Sequence, residues 1–143
     1  MPGAYDQEVR RAPLIVLLLL CAAAWSAPAA VAGPRAKPLH VVIKGQSHHP
    51  IVGKTWSYEV HVTDAAGKPV ACKIHLQMLL AGQSVVGEVG VHVVKNGVWK
   101  ETIVAKGPDA FPPASRGQPL VLRATVTAKG YATAKANWSI VVK

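Results

Sequence analysis

Six histidines give this sequence its clearest capacity for metal binding: His40, His48, His49, His61, His75 and His92. Neutral imidazole is a ligand for copper, zinc and nickel, and a thioether such as that of Met78 suits copper. The predicted ligands are His61 and His75, from two consecutive strands, together with His48 and His49 from a loop. Copper and zinc are therefore the candidate cofactors. The spacing matches no known closed metal site, so the competing interpretation is that the histidines are exposed surface residues and bind no cofactor.

The strands that would position His61 and His75 lie in residues 55–78. One alternating apolar face begins at Trp56 and a second at Val70, with an Asp, a Gly and a Pro between them. A two-residue period is typical of strands with one buried face, and the three intervening residue types favour turns. If the two strands are neighbours in one sheet, the two histidines lie roughly opposite each other. In an immunoglobulin topology the strands belong to different sheets, and the histidines are far apart.

The rest of the chain repeats the alternating pattern and shows no helical period beyond its N-terminal segment. Further strands are predicted near residues 39–44, 84–86, 88–95, 98–104, 120–127 and 132–142. Asn96-Gly97 predicts a two-residue hairpin of type I′, and residues 106–118 predict a long connection from one sheet to the other. The predicted fold is all-β: an antiparallel immunoglobulin-like two-sheet sandwich of about seven to eight strands, preceded by an N-terminal signal helix. A small barrel is the alternative.

The predicted core consists of the inward-facing residues of the clearest strands. These are Trp56, Tyr58, Val60, Val62, Val70, Cys72, Ile74, Leu76, Leu122, Ala124, Val126, Trp138 and Ile140. On the strand after Asn96-Gly97, the inward set is predicted to be Trp99 and Ile103, with Glu101 between them.

Residues 1–32 have the features of a secretory signal. Arg10 and Arg11 precede an apolar run, and Ala30-Val31-Ala32 supplies the small residues of a cleavage site before Gly33. An uncleaved membrane anchor is the alternative, because the apolar stretch at residues 12–32 could cross a bilayer, which needs roughly 20 residues. The predicted organisation is therefore a signal peptide or anchor at 1–32, a linker at 33–37 and a β-sandwich domain at 38–143. We expect the protein to be exported and to be extracellular, periplasmic or membrane-associated.

The charge balance indicates the class of partner. The chain has 16 Lys and Arg against 7 Asp and Glu, a formal net charge of +9. The predicted basic surface is Lys73, Arg123, Lys100 and Lys135. Such a surface attracts anionic envelope polymers, a membrane surface or another envelope protein. Nucleic acid is not predicted, because the protein is expected to be exported and lacks interleaved aromatic and basic residues. The competing interpretation is that the positive charge serves solubility alone.

No constellation of catalytic residues is evident, so the prediction is that the protein is not an enzyme. The sequence contains no Gly-x-Ser-x-Gly, no phosphate-binding loop and no zinc-protease motif. Cys72 is the only cysteine beyond the predicted signal, which excludes an internal disulfide in the mature domain. Its place on an apolar strand face indicates a small core residue.

The stretch Val60-His-Val-Thr-Asp-Ala-Ala-Gly-Lys-Pro-Val-Ala-Cys-Lys-Ile74 resembles the strand–turn–strand of bacterial immunoglobulin-like domains. Residues 120–142 fit the close of such domains. A second resemblance is to exported YtkA-like domains, which carry a similar Gly-Lys-Pro-Val turn. Both resemblances imply a non-enzymatic extracytoplasmic module. The predicted function is therefore an exported cell-envelope module with a binding or structural role. The alternative is an extracytoplasmic, copper-type metal-binding protein that uses its surface histidines.

Overall fold

The computed structural model describes residues 35–85, 90–108 and 110–143, all within the compact unit Gly33–Lys143. The predicted signal or anchor, with its cleavage residues Ala30, Ala32 and Gly33, lies outside the described residues. Within the described ranges, no helix has the length and apolarity needed to cross a membrane.

The described residues form eight strands and one short 3-10 turn, Pro113–Ser115. The strands are β1 (His40–Gly45), β2 (Trp56–Thr63), β3 (Cys72–Leu80), β4 (Gln83–Ser84), β5 (Gly90–Val94), β6 (Val98–Ile103), β7 (Pro119–Thr127) and β8 (Ala134–Val141). One sheet has the order β1-β2-β6. The other has the order β4-β3-β7-β8, with β5 also paired to β3, and all pairs of named strands are antiparallel. This arrangement confirms the predicted antiparallel immunoglobulin-like sandwich.

Alternating burial along the strands explains why the two sheets pack together. In β2 the residues Trp56, Tyr58, Val60 and Val62 are buried, and the residues between them are half-buried. The inward side chains of β3 and β7 meet this face to form one core. Twelve of the thirteen predicted core residues are buried. Burial of such a side chain typically contributes about 1.5–3 kcal/mol, so this inter-sheet core is the main stabilising feature.

Trp138 is the exception, because it is half-buried rather than buried. It lies on β8, which pairs only with β7 in the part of the chain that the structure describes and is therefore an edge strand of its sheet. Its indole packs against Gly45 of β1, where an added Cβ would lie 2.6 Å from Nε1 of Trp138 and 2.7 Å from Trp56. A glycine at position 45 therefore leaves room for both tryptophans at this edge of the sandwich.

The predicted hairpin at Asn96-Gly97 is wrong. β5 pairs with β3 and β6 pairs with β2, so these two residues carry the chain from one sheet to the other. Gly97 has a φ of 69° and Asn96 does not have a positive φ, whereas a type I′ turn needs both. The carbonyl of Gly97 instead accepts a hydrogen bond from the backbone N–H of Val62 at 2.7 Å, which docks the turn on the end of β2.

A tight two-residue hairpin forms instead at Ala81-Gly82, between β3 and β4. The φ angles of these residues are 49° and 83°, as a type I′ turn requires. The residue types at a turn favour a positive φ, but they do not decide which strands pair. The two turns therefore differ although each contains a glycine with a positive φ. Val94 at the end of β5 is buried beside Cys72, and this burial holds β5 against β3 rather than β6.

The connections that change sheets account for the remaining topology. β2 and β3 belong to different sheets, and in the turn between them the Asp64 side chain accepts hydrogen bonds from the N–H groups of Ala66 and Lys68, each at 2.9 Å. The connection after β6 crosses back to the larger sheet, as predicted. Its Phe111 is buried and packs edge-to-face on Trp56, with ring centroids 6.0 Å apart.

Candidate functional site

His61 and His75 lie on opposite outer faces of the sandwich. His61 points outward from β2, between the buried residues Val60 and Val62. His75 points outward from β3 in the other sheet. Of the two arrangements considered from the sequence, the immunoglobulin arrangement is the one that forms. These two histidines therefore cannot ligate one metal ion together.

His48 and His49 lie together in the loop after β1, against the edge strand β8. Nδ1 of His48 is 2.6 Å from the carbonyl oxygen of Ser139, and Nδ1 of His49 is 3.4 Å from that of Val141. A carbonyl oxygen only accepts, so Nδ1 of His48 carries a hydrogen and donates the hydrogen bond. The His48 ring also stacks on Trp138, with centroids 4.1 Å apart. These contacts give His48 a packing role, as the cover of the half-buried tryptophan.

The described ranges contain no group of three or more His, Cys, Asp or Glu residues placed to hold a metal ion. Of the four predicted ligands, the fold brings together only His48 and His49. The other two histidines are also separate: His40 is exposed at the start of β1, and His92 stacks on Trp99 with centroids 3.9 Å apart. The histidines thus lie in several separate parts of the domain.

Lys100 was predicted to belong to the basic surface with Lys73, Arg123 and Lys135, but it lies on the other sheet. Its Nζ is 2.6 Å from Oε1 of Glu59, which is directly across from it on β2. Hydrogen bonds from Lys100 and His61 hold the pKa of Glu59 below its usual range. The Lys100 charge is therefore balanced locally, and Lys100 does not belong to the same surface as the other three cations.

A second carboxylate, that of Glu101, faces into the sandwich from β6. It accepts hydrogen bonds from the hydroxyl of Tyr58 and, at 3.3 Å, from Nε1 of Trp99. Burial, together with the Glu101 carboxylate, raises the pKa of Tyr58 above its ordinary value. The inward set predicted for β6 is correct, and the sheet pairing explains it: Trp99, Glu101 and Ile103 lie opposite Val60, Tyr58 and Trp56.

Lys73, Arg123 and Lys135 lie on the outward face of the larger sheet, on β3, β7 and β8 respectively. We call these three residues the basic sheet face. From the strand spacing and the rise per residue, their Cα atoms are roughly 8 to 14 Å apart. Nε of Arg123 donates a hydrogen bond to Oδ1 of Asn137 at 3.1 Å, which orients the guanidinium along the face.

The acids of the described ranges lie away from the basic sheet face. Glu59 and Glu101 belong to the smaller sheet, and Asp64 lies in the turn between β2 and β3. Within the described residues, no acidic side chain projects from the outward face of the larger sheet. The four predicted cations are therefore divided: three project from the larger sheet without a described acid, and Lys100 is paired with Glu59 on the smaller sheet. The sequence alone could not show it, because the pairing of strands decides which charges share a face.

Comparisons with known proteins show the fold. No protein-family model matches the chain, and no curated protein matches it. Among solved structures, a DUF4785 family protein from Legionella pneumophila is similar, with a TM-score of 0.51 and 12% identity. The alignment covers 73% of this chain and 28% of that protein, so this chain corresponds to less than a third of its length. At this identity the likeness is one of fold, and it supports the two-sheet sandwich.

A further structure is the CARDB domain of a Pyrococcus furiosus protein, solved in complex with di-metal ions. Its TM-score is 0.48 and its identity is 20%, over 76% of this chain and 90% of that domain.

Proposed function

We propose that this protein is an exported, non-enzymatic module of the cell envelope, of the bacterial immunoglobulin-like type, that binds an anionic envelope polymer. The observation that carries the proposal is the basic sheet face. Lys73, Arg123 and Lys135 share one outward face of the larger sheet, and no described acid accompanies them. A broad face with spaced cations suits an extended polyanion better than a compact substrate.

The strength of such binding comes from several charges acting together. A single exposed ion pair contributes only about 0–1 kcal/mol, because water screens it and the side chains lose freedom. At 0.01 M salt the screening length is about 30 Å, which exceeds the separation of the three cations, whereas at physiological salt it is about 8 Å. The three charges therefore attract a polyanion jointly at low salt and more nearly independently at high salt.

The export part of the proposal depends on residues 1–32, whose basic edge, apolar run and small residues are those of a secretory signal. We expect exported protein to begin at Gly33 when its N-terminus is sequenced. Exported protein that begins at Met1 would instead support the uncleaved anchor.

The test of the proposed function is retention of the purified domain on anionic cell-wall polymer at low and at high salt. The proposal predicts retention at 0.01 M salt that is lost as salt rises. Acidic vesicles serve as the comparison surface. Retention on vesicles alone would assign the face to a membrane, and no retention on either surface at low salt would refute the proposal.

The copper-type alternative has weaker support. It drew on four histidines, and two of them, His61 and His75, project from opposite faces of the sandwich. A metal titration followed by tryptophan emission tests it, because His48 lies against Trp138 and His92 against Trp99. Stoichiometric quenching that is lost in His48→Ala or His49→Ala, the two predicted ligands that lie together, would restore this alternative.

A further inference from the structure

A shallow depression lies at one end of the larger sheet, where β3 begins and where β5 and β7 end. Its volume is about 540 Å³, and its lining includes Lys73, Lys95 and Lys129 together with Ala71 and Thr127. We call it the basic depression. Only Lys73 is shared with the basic sheet face.

Strand register explains why three lysines that are distant in sequence meet there. Lys73 pairs with Val93 on one side and with Thr127 on the other. Lys95 directly follows β5, and Lys129 lies in the turn after β7, so both come to the same end of the sheet as Lys73 and line the depression with it. The exposed methyl side chain of Ala71 keeps the floor of the depression low.

The depression concentrates positive charge without a described counter-charge. All three lysines are exposed, and none forms an ion pair with an acid of the described ranges. Three ammonium groups within reach of one point repel one another, and a bound anion would relieve that repulsion. Lysine is a compact charge with three donors, and it binds phosphate as a point charge.

We propose that the basic depression binds a phosphomonoester group, which would make a pendant or terminal phosphate the anion recognised on the polymer; this inference rests on the proposed function. A phosphomonoester carries about −1.5 to −2 charges at pH 7 and three strong acceptor oxygens. It can therefore contact three ammonium groups at once, whereas a carboxylate has one charge and two oxygens. The Thr127 hydroxyl supplies a further donor at the rim.

The test uses NMR titration of the domain with inorganic phosphate, and with acetate at matched ionic strength. The proposal predicts saturable shifts of the Ala71, Lys73 and Thr127 amides with phosphate and none with acetate. The double variant Lys95→Gln/Lys129→Gln should weaken phosphate binding at least tenfold. The matched control, Lys44→Gln/Lys54→Gln, removes two exposed charges elsewhere and should leave phosphate binding unchanged.

A second variant separates the shape of the depression from its charge. Ala71→Leu keeps every lysine and fills the floor, and we expect it to weaken phosphate binding while preserving salt-sensitive retention on the polymer. Thermal midpoints within a few degrees of the unmodified domain would show that these surface variants fold.

The outcomes distinguish this inference from the proposed function. Equal shifts with phosphate and acetate, or phosphate binding that survives both variants, would overturn the phosphate site even if the polymer is still retained through Arg123 and Lys135. If the unmodified domain bound phosphate but was not retained on the polymer, the proposed function would instead be refuted. Glucose 6-phosphate and vesicles that contain phosphatidic acid identify the source: binding of the sugar phosphate assigns a phosphorylated glycan, and binding of the vesicles alone assigns a lipid headgroup.

Discussion

Replacing Gly97 with alanine tests the turn that carries the chain between the sheets. Gly97 is buried, has a φ of 69°, and an added Cβ would lie 2.5 Å from the Val62 carbonyl oxygen and 3.0 Å from the Val70 nitrogen. The backbone must therefore move. That movement strains the hydrogen bonds from Val62 to Gly97, at 2.7 Å, and from Val70 to Val62, at 3.2 Å.

The expected cost of Gly97→Ala can be estimated from these contacts. A left-handed φ costs alanine about 1–2 kcal/mol, and reduced freedom of the unfolded chain offsets about 0.4–1 kcal/mol of it. Overpacking adds about 1–3 kcal/mol, and each weakened hydrogen bond adds up to about 1 kcal/mol. These contributions sum to about 1–6 kcal/mol, with a central value of about 4 kcal/mol, a large fraction of the stability of a small domain.

Gly130→Ala is the matched control. Gly130 has a φ of 83°, and an added Cβ there would meet nothing within 4 Å. Its expected cost is therefore the conformational part alone, about 1 kcal/mol. Urea unfolding followed by tryptophan fluorescence gives both free energies. If the two variants lost the same stability, the close packing of Gly97 on the end of β2 would be refuted.

Two further predictions concern the core. Ile74→Ala should lower the free energy of unfolding by about 2–5 kcal/mol, because the side chain is fully buried. Lys73→Ala, at an exposed neighbour, should change it by less than about 0.5 kcal/mol. Equal melting midpoints for the two variants would mean that the faces of β3 are reversed. Burial and the Glu101 carboxylate raise the pKa of Tyr58 in the folded state. The stability that this shift contributes is complete below the pKa of tyrosine in the unfolded chain, near 10. Above that pH the free energy of unfolding should fall by about 1.4 kcal/mol per pH unit. Urea midpoints between pH 8 and 11 measure this fall, and the same slope in Tyr58→Phe would contradict the assignment.

The two-sheet fold could be predicted from the sequence because its signal is local. Each clear strand alternates apolar and polar residues, and burial follows that alternation in β2, β3 and β7. Trp138 departs from it because β8 pairs only with β7 among the described strands and so lies at an edge of its sheet. A single strand's pattern identifies its inward face but not whether that strand lies at the edge of a sheet.

Strand pairing was less predictable because it depends on contacts between distant residues. Asn96-Gly97 has the residue types of a hairpin, yet it connects two sheets, since Val94 is buried against β3 and Gly97 docks on β2. The same limit applies to the candidate site. Lys100 could not be separated from Lys73, Arg123 and Lys135 until the sheets were assigned. The convergence of Lys95 and Lys129 with Lys73 has no sequence signal, because the pairing of distant strands creates it.

The central claim is that the cations of the basic sheet face, rather than net charge, bind an anionic envelope polymer. Its most direct test compares two triple variants with the same loss of charge at low salt. Lys73→Gln/Arg123→Gln/Lys135→Gln removes the face, and Lys44→Gln/Lys54→Gln/Lys106→Gln removes three exposed lysines elsewhere.

The measurement is the dissociation constant of each triple variant for purified anionic wall polymer at 0.01 M salt. The first variant should bind at least tenfold more weakly than the unmodified domain. A tenfold change corresponds to about 1.4 kcal/mol, or about 0.5 kcal/mol from each of three weak exposed pairs. The second variant should bind within about twofold of the unmodified domain. Equal weakening of the two variants would contradict the account, because the charge of the domain as a whole, and not one face of the larger sheet, would then govern binding.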